Sequence, residues 1–305
     1  MAMRLLNFGS MNVDHVYQVE HFVTPGETIS ARKLDHFCGG KGLNQSVALA
    51  RAGAETYHAG MLGKGGEELE RMLAHSGVKL DHLGVSAEMT GHAIIQVDAS
   101  GQNNIIIYGG SNQAVTEEYI DSVLSHFGPE DMVLTQNEIS NISYLAKRCG
   151  ELGIPLVFNP SPITQGMLEA FPFEKVSIFL INEVEGQALT GQTEPGAILD
   201  TLLTRWPHAR VVLTLGQRGV VYRDSEHIFS HGAYKVKAVD TTAAGDTFTG
   251  FFLASLARGE DIPRCLENAS LASALAVSRS GAAPSIPTMA EVDAARGTIT
   301  PSPAP

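Results

Sequence analysis

At 305 residues, 44% of them hydrophobic, the chain is long enough for one large α/β domain as readily as for two smaller ones. Its formal charge of −12 disfavours nonspecific attraction to nucleic acid or to an anionic membrane surface, so any phosphate-bearing ligand has to be held locally. The opening MAMRLLNFGS has too short an apolar run for a signal peptide, and no stretch approaches the roughly 18 apolar residues of a membrane span. Three widely spaced cysteines, Cys38, Cys149 and Cys265, fit neither a disulfide framework nor a zinc site, and a cytoplasmic protein with reduced thiols is expected.

RLLNFG reads as the first buried strand. The following GSMNVD carries Asn12 and Asp14 two apart, so both side chains share a face if the segment stays extended. Carboxylate plus amide suits the hydroxyls of a polyol, and a solvated loop accounts for the pair as well. Residues 16–37 read as extended. CGGKGLNQSVALARAG then combines close backbone access at Gly39, Gly40 and Gly42 with Lys41 and the amides Asn44 and Gln45, and enters a helix over Lys41–Ala52 that stops on Gly53. The G-x-x-x-x-G-K-[ST] spacing of a P-loop is absent from the whole chain, and a plain glycine turn before a helix is the alternative.

ETYHAGML reads as a strand and Glu67–His75 as a helix. HAIIQVDASGQNNIIIYGG has two β-rich runs around Asp98-Ala99-Ser100-Gly101 and predicts a hairpin, which with residues 16–37 makes a small sheet projecting over the main one as a lid. Helices are expected over Glu117–His126 and Ala197–Trp206, with strands at DMVLTQ, IPLVFNP, SIFLIN and ARVVLTL. Glu138, in TQNEIS, stands at the C-terminal end of such a strand, where an open α/β sheet forms its ligand crevice. This alternation predicts a mostly parallel sheet with helices on both faces, in one domain without a dividing linker; the last residues, TITPSPAP, read as a frayed tail.

Near the C-terminal end, GDTFTGFFLASLARG spaces Phe248, Phe251, Phe252 and Leu256 as one helix, with Gly259 as its stop and Asp246 in its first turn. Small residues at Ala243, Ala244 and Gly245 let an anion reach the unpaired N–H groups, where the helix dipole favours negative charge. Asp246 then reads in two ways. It caps the helix, or, with a phosphoryl group in the hole, its carboxylate accepts the proton of a hydroxyl attacking phosphorus.

Taken together, NVD, GGKGLNQSVALARAG, INEVEGQALTG, TLGQRG and DTTAAGDTFTG resemble, in order and over nearly the whole chain, the PfkB family of carbohydrate kinases, and within it the ribokinase group. The resemblance implies a ribokinase-like three-layer α/β/α sandwich over residues 1–297, with a mostly parallel central sheet, a small β-sheet lid from about 12–38 and 91–112, and a tail at 298–305. It implies transfer of the ATP γ-phosphoryl group to a sugar hydroxyl, O5 for ribose. Asp246 is then the base and the Ala244-Gly245-Asp246 backbone the anion hole; Asn12, Asp14, Gly40, Lys41, Asn44 and Glu138 contact the sugar.

By the same resemblance Asn182, Thr214, Gly216, Gln217, Arg218, Gly219, Gly245 and Ser270 contact ATP, and Glu185 places magnesium through water, as suits an ion that keeps several waters. Asp240, Thr242, Ala276, Arg279, Gly281 and Ser285 match the positions of a potassium site. The exposed lid edge implies pairing across a twofold axis as a homodimer. Cys38 before the glycines and the lid's own apolar pattern leave other acceptors open: deoxyribose, a ketose or a nucleoside. A sugar-binding protein without catalysis is a further alternative, against which Asp246 and Gly245 both stand. A Rossmann dehydrogenase is excluded, because FGSMNVD stands where its G-x-G-x-x-G belongs.

Overall fold

The computed structural model describes residues 3–305. In chain order it runs β1 (Leu5–Phe8), β2 (Asn12–Gln18), β3 (Lys33–Gly39), α1 (Lys41–Arg51), β4 (Thr56–Lys64), α2 (Glu67–His75), β5 (Leu83–Met89), β6 (Gly91–Val97) and β7 (Asn103–Tyr108). It continues with α3 (Glu117–Leu124), β8 (Met132–Gln136), α4 (Ile142–Leu152), β9 (Leu156–Asn159), α5 (Gln165–Ala170), β10 (Ile178–Asn182), α6 (Glu183–Thr190) and α7 (Pro195–Arg205). The last elements are β11 (Arg210–Thr214), β12 (Val220–Arg223), β13 (Ile228–His231), α8 (Ala244–Ala257), α9 (Ile262–Val277) and α10 (Met289–Ala295).

Nine strands form the main sheet in the order β13-β12-β11-β10-β9-β8-β1-β4-β5, parallel from β11 to β5 and antiparallel at the β12 and β13 edge. Successive residues of its central strands serve opposite faces, as a period of two demands. On β10, Ile178 and Leu180 join the core beneath α1, α2, α8 and α9, while Phe179 and Ile181 join the core beneath α3, α4, α6 and α7. The three layers follow from that alternation. Among the described residues no helix is long and apolar enough to cross a membrane.

Helix α8 is apolar on nearly every side because it lies between α1 and α9. Gly250 makes the α1 crossing tight: a side chain there would run into Ala48 and the Leu49 backbone. That close approach sets the first turn of α8 beside the first turn of α1.

A second sheet, in the order β3-β2-β6-β7, forms the lid. β6 and β7 make the expected hairpin, with Asp98 accepting from the Ser100 and Gln102 N–H groups at its turn. The expected extension over 16–37 is interrupted: β2 ends at Gln18 and β3 begins at Lys33, with a turn at Thr24–Glu27 between them, where Pro25 and Gly26 favour a bend over a strand. The tail also differs from expectation. Ser302 donates from its N–H and its hydroxyl to the Ala233 carbonyl (2.8 and 2.7 Å), and Pro301 bridges to Tyr234, because an extended segment can satisfy its backbone against the open chain beyond β13.

Candidate active site

The site grows from two helix starts. Helix α1 begins after Gly40, whose φ of 91° turns the chain out of β3, and presents Lys41, Asn44 and Gln45 on its first turns. Helix α8 begins after Ala243, an alanine held in the left-handed region at φ 60°. A non-glycine residue there costs roughly 1–2 kcal/mol, strain of the kind that gathers at functional turns. The Ala244 N–H reaches back to the Thr241 carbonyl (3.3 Å), while Gly245 and Asp246 have no acceptor for theirs among the described residues. A Cβ on Gly245 would meet nothing within 4 Å, so the space above these N–H groups is open. An anion fits it.

Asp246 is buried, 7% exposed, and it does not cap its own helix. Its two oxygens accept from Asn44 Nδ2 (3.0 Å) and Gln45 Nε2 (2.9 Å). The capping alternative therefore falls, and two amides hold the carboxylate instead. Asn44 thus touches Asp246 directly, while its Oδ1 is buried without a partner among the described residues. An acceptor left so is matched by a hydroxyl donor. Gln45 is the residue whose role sequence reasoning missed, although its amide was visible in the glycine-lysine motif.

Around Lys41 stand three carboxylates. Burial works against its charge, but Asp246, Glu138 and Glu185 outweigh it and raise the lysine above its ordinary range. Glu138 is raised by burial, against the hydrogen bonds it accepts from the Ser10 hydroxyl and the Lys41 N–H. Asp14, on β2, is pushed up to about 7, first by burial and then by Glu138. Asn12, two residues before it, accepts from Asn112 Nδ2 (2.8 Å). Asn12, Asp14, Lys41 and Glu138 therefore converge where the lid meets the main sheet. Ser10 and Asn112, which support them, carried no sequence signal beyond being polar.

A cavity of about 260 Å³ is lined by Lys41, Asn182, Glu185, Thr214, Ala244, Gly245 and Asp246, among others. A second, of about 530 Å³, takes Thr214, Gly216, Gln217, Gly219, Gly245, Ser270 and the apolar side chains of Val236, Phe248 and Val277. Thr214, Ala244, Gly245 and Phe248 belong to both walls, so the anion hole lies where the two cavities meet. Arg218 falls outside both. It pairs with Glu183 and lines a separate cavity.

Asn182 and Glu185 form a capping box at the start of α6: Asn182 Oδ1 accepts from the Glu185 N–H and Glu185 Oε2 accepts from the Asn182 N–H, each at 2.9 Å. Burial raises the Glu185 carboxyl, which lines the smaller cavity and fits a hydrated divalent cation brought there by phosphate. Asp240 accepts from the Thr242 N–H (2.9 Å) and the Gly281 N–H (3.0 Å). Burial works against the Asp240 charge, but hydrogen bonding from the Thr242 side chain and from the Thr242 and Gly281 N–H groups outweighs it and lowers the carboxyl. These bonds join the chain before α8 to the turn after α9, where the Arg279 N–H meets the Ala276 carbonyl (3.0 Å). Asp240 brings one carboxylate to this junction, and a carboxylate is a donor that suits a weakly hydrated monovalent cation. Ser285 is spent within its own turn, on the Ala282 carbonyl.

A three-layer α/β chain with an anion hole between a deep pocket and a buried carboxylate, under a small β lid, is a phosphotransferase of the carbohydrate kinase class. The chain belongs to the pfkB family of carbohydrate kinases, whose family model matches residues 3–289. It is similar to the ribokinase of Haemophilus influenzae, 34% identical over 301 residues that cover 95% of this chain and 97% of that protein. Among solved structures it is similar to ribokinase from Thermotoga maritima, with TM-score 0.86 and 31% identity over 96% of this chain and 99% of that one. It is also similar to Arabidopsis thaliana ribokinase complexed with ribose and ATP, with TM-score 0.83 and 32% identity over 96% and 98%. A deoxyribokinase of Salmonella typhi is 28% identical over 298 residues, 92% of this chain and 94% of that protein.

Proposed function

We propose that this chain transfers the γ-phosphoryl group of ATP to the 5-hydroxyl of ribose. The observation that carries the reading is the shared wall: Gly245 N–H lies between the larger cavity, sized for a nucleoside, and the smaller one that holds Asp246. The nucleotide lies along Thr214, Gly216, Gln217, Gly219 and Ser270, with Asn182 at the phosphate end. The sugar lies under the lid on Asn12, Asp14, Gly40, Lys41, Asn44 and Glu138. The ribokinases among its relatives support ribose as the acceptor.

Asp246 accepts the hydroxyl proton as the O5–phosphorus bond forms and the bond from phosphorus to the β,γ-bridging oxygen breaks. The Ala244-Gly245-Asp246 backbone and Lys41 balance the charge on the transferred group. Glu185 would hold magnesium through water, and that ion would neutralise phosphate charge. Asp240 and the carbonyls of Thr242, Ala276, Arg279, Gly281 and Ser285 would hold potassium, fixing the chain that leads into α8. A homodimer through the lid, working in the cytoplasm, completes the reading; three buried free thiols are consistent with a reducing compartment.

The Salmonella typhi relative favours deoxyribose as the second reading. ADP release with Mg-ATP, measured on ribose, 2-deoxyribose, ketoses, hexoses and nucleosides, in potassium and then in sodium, tests both. Ribose preferred, with dependence on potassium, is the expected result. A site that hydrogen-bonds the 2-hydroxyl is expected to discriminate against its absence by about 10⁴-fold or more. Equal or better rates on deoxyribose move the assignment to that sugar, and silence on every acceptor with ATP still bound moves it to an acceptor outside the panel or to a sugar-binding protein without catalysis.

A further inference from the structure

Behind Asp246 runs a line of buried amides that ends deep in the central sheet. Gln45 Nε2 gives its hydrogen bonds to Asp246 Oδ1 (2.9 Å) and to Asn159 Oδ1 (3.1 Å). Gln45 Oε1 accepts from Gln136 Nε2 (2.6 Å), which also donates to Asn7 Oδ1 (2.9 Å). Asn7 Nδ2 donates to the Gly42 carbonyl (2.8 Å) and to Ser46 Oγ (2.9 Å), and Ser46 is bonded to His58 Nδ1 (2.8 Å). Asn7, Gln45, Ser46, His58 and Gln136 are each at most 1% exposed.

The direction of this line is fixed by one backbone group. The Gly42 carbonyl can only accept, so Asn7 must turn its NH₂ there and its oxygen toward Gln136. Gln136 then presents its NH₂ to both Asn7 and Gln45, and Gln45 is left with its NH₂ toward Asp246. An amide so oriented is satisfied only by an accepting oxygen. Ser46 Oγ accepts a hydrogen bond from Asn7 and donates one to His58 Nδ1, and burial lowers His58 to about 4, the neutral form this bond needs. Four strands, β1, β4, β8 and β9, thus contribute side chains to one carboxylate on α8. Rotating a single amide would leave two like groups facing each other in a buried site, each without a partner.

We propose that Gln45 and Gln136 are positioning residues for phosphoryl transfer: through the Asn7–Gln136–Gln45 line, the core of the sheet holds the Asp246 carboxylate in the orientation that receives the sugar's proton. This rests on the reading of Asp246 as the base. Gln136 acts only through Gln45, and Gln45 acts only through Asp246.

The test is steady-state kinetics on the full-length protein with Gln45→Met, Gln136→Met, the double variant and Asp246→Asn as the control. Gln45→Met is expected to lower kcat by about 10–100-fold, the scale of a misplaced reacting group, with both KM values within about threefold. Gln136→Met is expected to lower kcat by about tenfold, and to add nothing in the Gln45→Met background, as residues in one line are coupled. A folded Gln136→Met with kcat within twofold of the parent, or losses that multiply in the double variant, overturns the proposal. Should Gln136→Met fail to fold, a folded Gln45→Met with kcat within twofold of the parent does the same. If Asp246→Asn itself keeps turnover, the base reading has failed; if only that variant is inactive, the positioning proposal alone has.

Discussion

The Asp14 carboxylate lies against the α-carbon of Gly39 on the neighbouring lid strand, so closely that a methyl group on Gly39 would overlap it. In the β2–β3 register Gly39 stands opposite Asn12, and Phe37 opposite Asp14. The carboxylate therefore leans across the strand pair into room that only the absent side chain provides. Gly39→Ala is expected to displace it and to raise the KM for the sugar by about tenfold or more, the cost of a hydrogen bond to a charged group. The KM for ATP is expected to stay unchanged. Initial rates with each substrate varied in turn check this, and an unaltered sugar KM would contradict the role given to Asp14.

The same carboxylate links sugar binding to pH. Asp14 is pushed up to about 7 by burial and then by Glu138, so between its ordinary value near 4 and 7 the folded chain holds a proton that the unfolded chain has lost. The native state binds more protons in that window, and this group's contribution to stability falls as pH rises through it. Asp14→Asn is expected to remove that fall and to raise Tm above pH 7 by about 2 °C, the effect of roughly 1 kcal/mol in a large domain. In the parent, sugar KM is expected to rise as pH drops below 7 and Asp14 loses an acceptor. Thermal melts at pH 5 and pH 8 decide the first point. Equal Tm differences at both would remove Asp14 as its source.

Asp240 gives a prediction for the cation. By accepting from the Thr242 and Gly281 N–H groups it fixes the segment that delivers the chain to Ala243 and the anion hole. Asp240→Ala is expected to abolish the difference between rates in potassium and in sodium, and to leave turnover at or below the sodium level. Rates measured across a potassium titration test it. An unchanged potassium response would place any cation elsewhere.

The sequence made the strands and helices that carry the chemistry readable because each is a buried run with a clear period. The motifs brought Lys41, Asn44 and Asp246 within one site, and small residues before Asp246 pointed to the open helix start. What stayed hidden depends on contacts between distant elements. Gln136 ends a strand with nothing to distinguish it from a solvated glutamine, and only the pairing of β1 with β8 puts it between Asn7 and Gln45. The strands β5, β12 and β13 were not read: β5 and β13 are largely exposed edge runs that show neither period well, and β12, though buried, is only four residues long. His15, His36 and His92 likewise meet only across the lid, with His15 and His36 Nδ1 atoms 2.8 Å apart. Arg218 shows what a motif leaves open: its position follows from the sequence, while the pairing of its side chain with Glu183 does not.

The lid edge carries the last prediction. β7 ends its sheet, and Ile105, Ile106, Ile107 and Tyr108 are 48–61% exposed along it, so apolar side chains stand free on both faces of the strand. Such an edge invites a second strand, and the proposed dimer covers it. Ile106 is in register with Ile94, and Ile94 with His15, which places it on the lid face away from Asp14. A charge there burdens an interface without entering the sugar site. Ile106→Asp is expected to convert the dimer to single chains in light scattering and to raise the sugar KM severalfold, because an unpaired lid closes less firmly over its substrate. Mass corresponding to one chain for the parent itself, across a broad concentration range, would remove the dimer and with it this account of why the lid leaves its isoleucines in water.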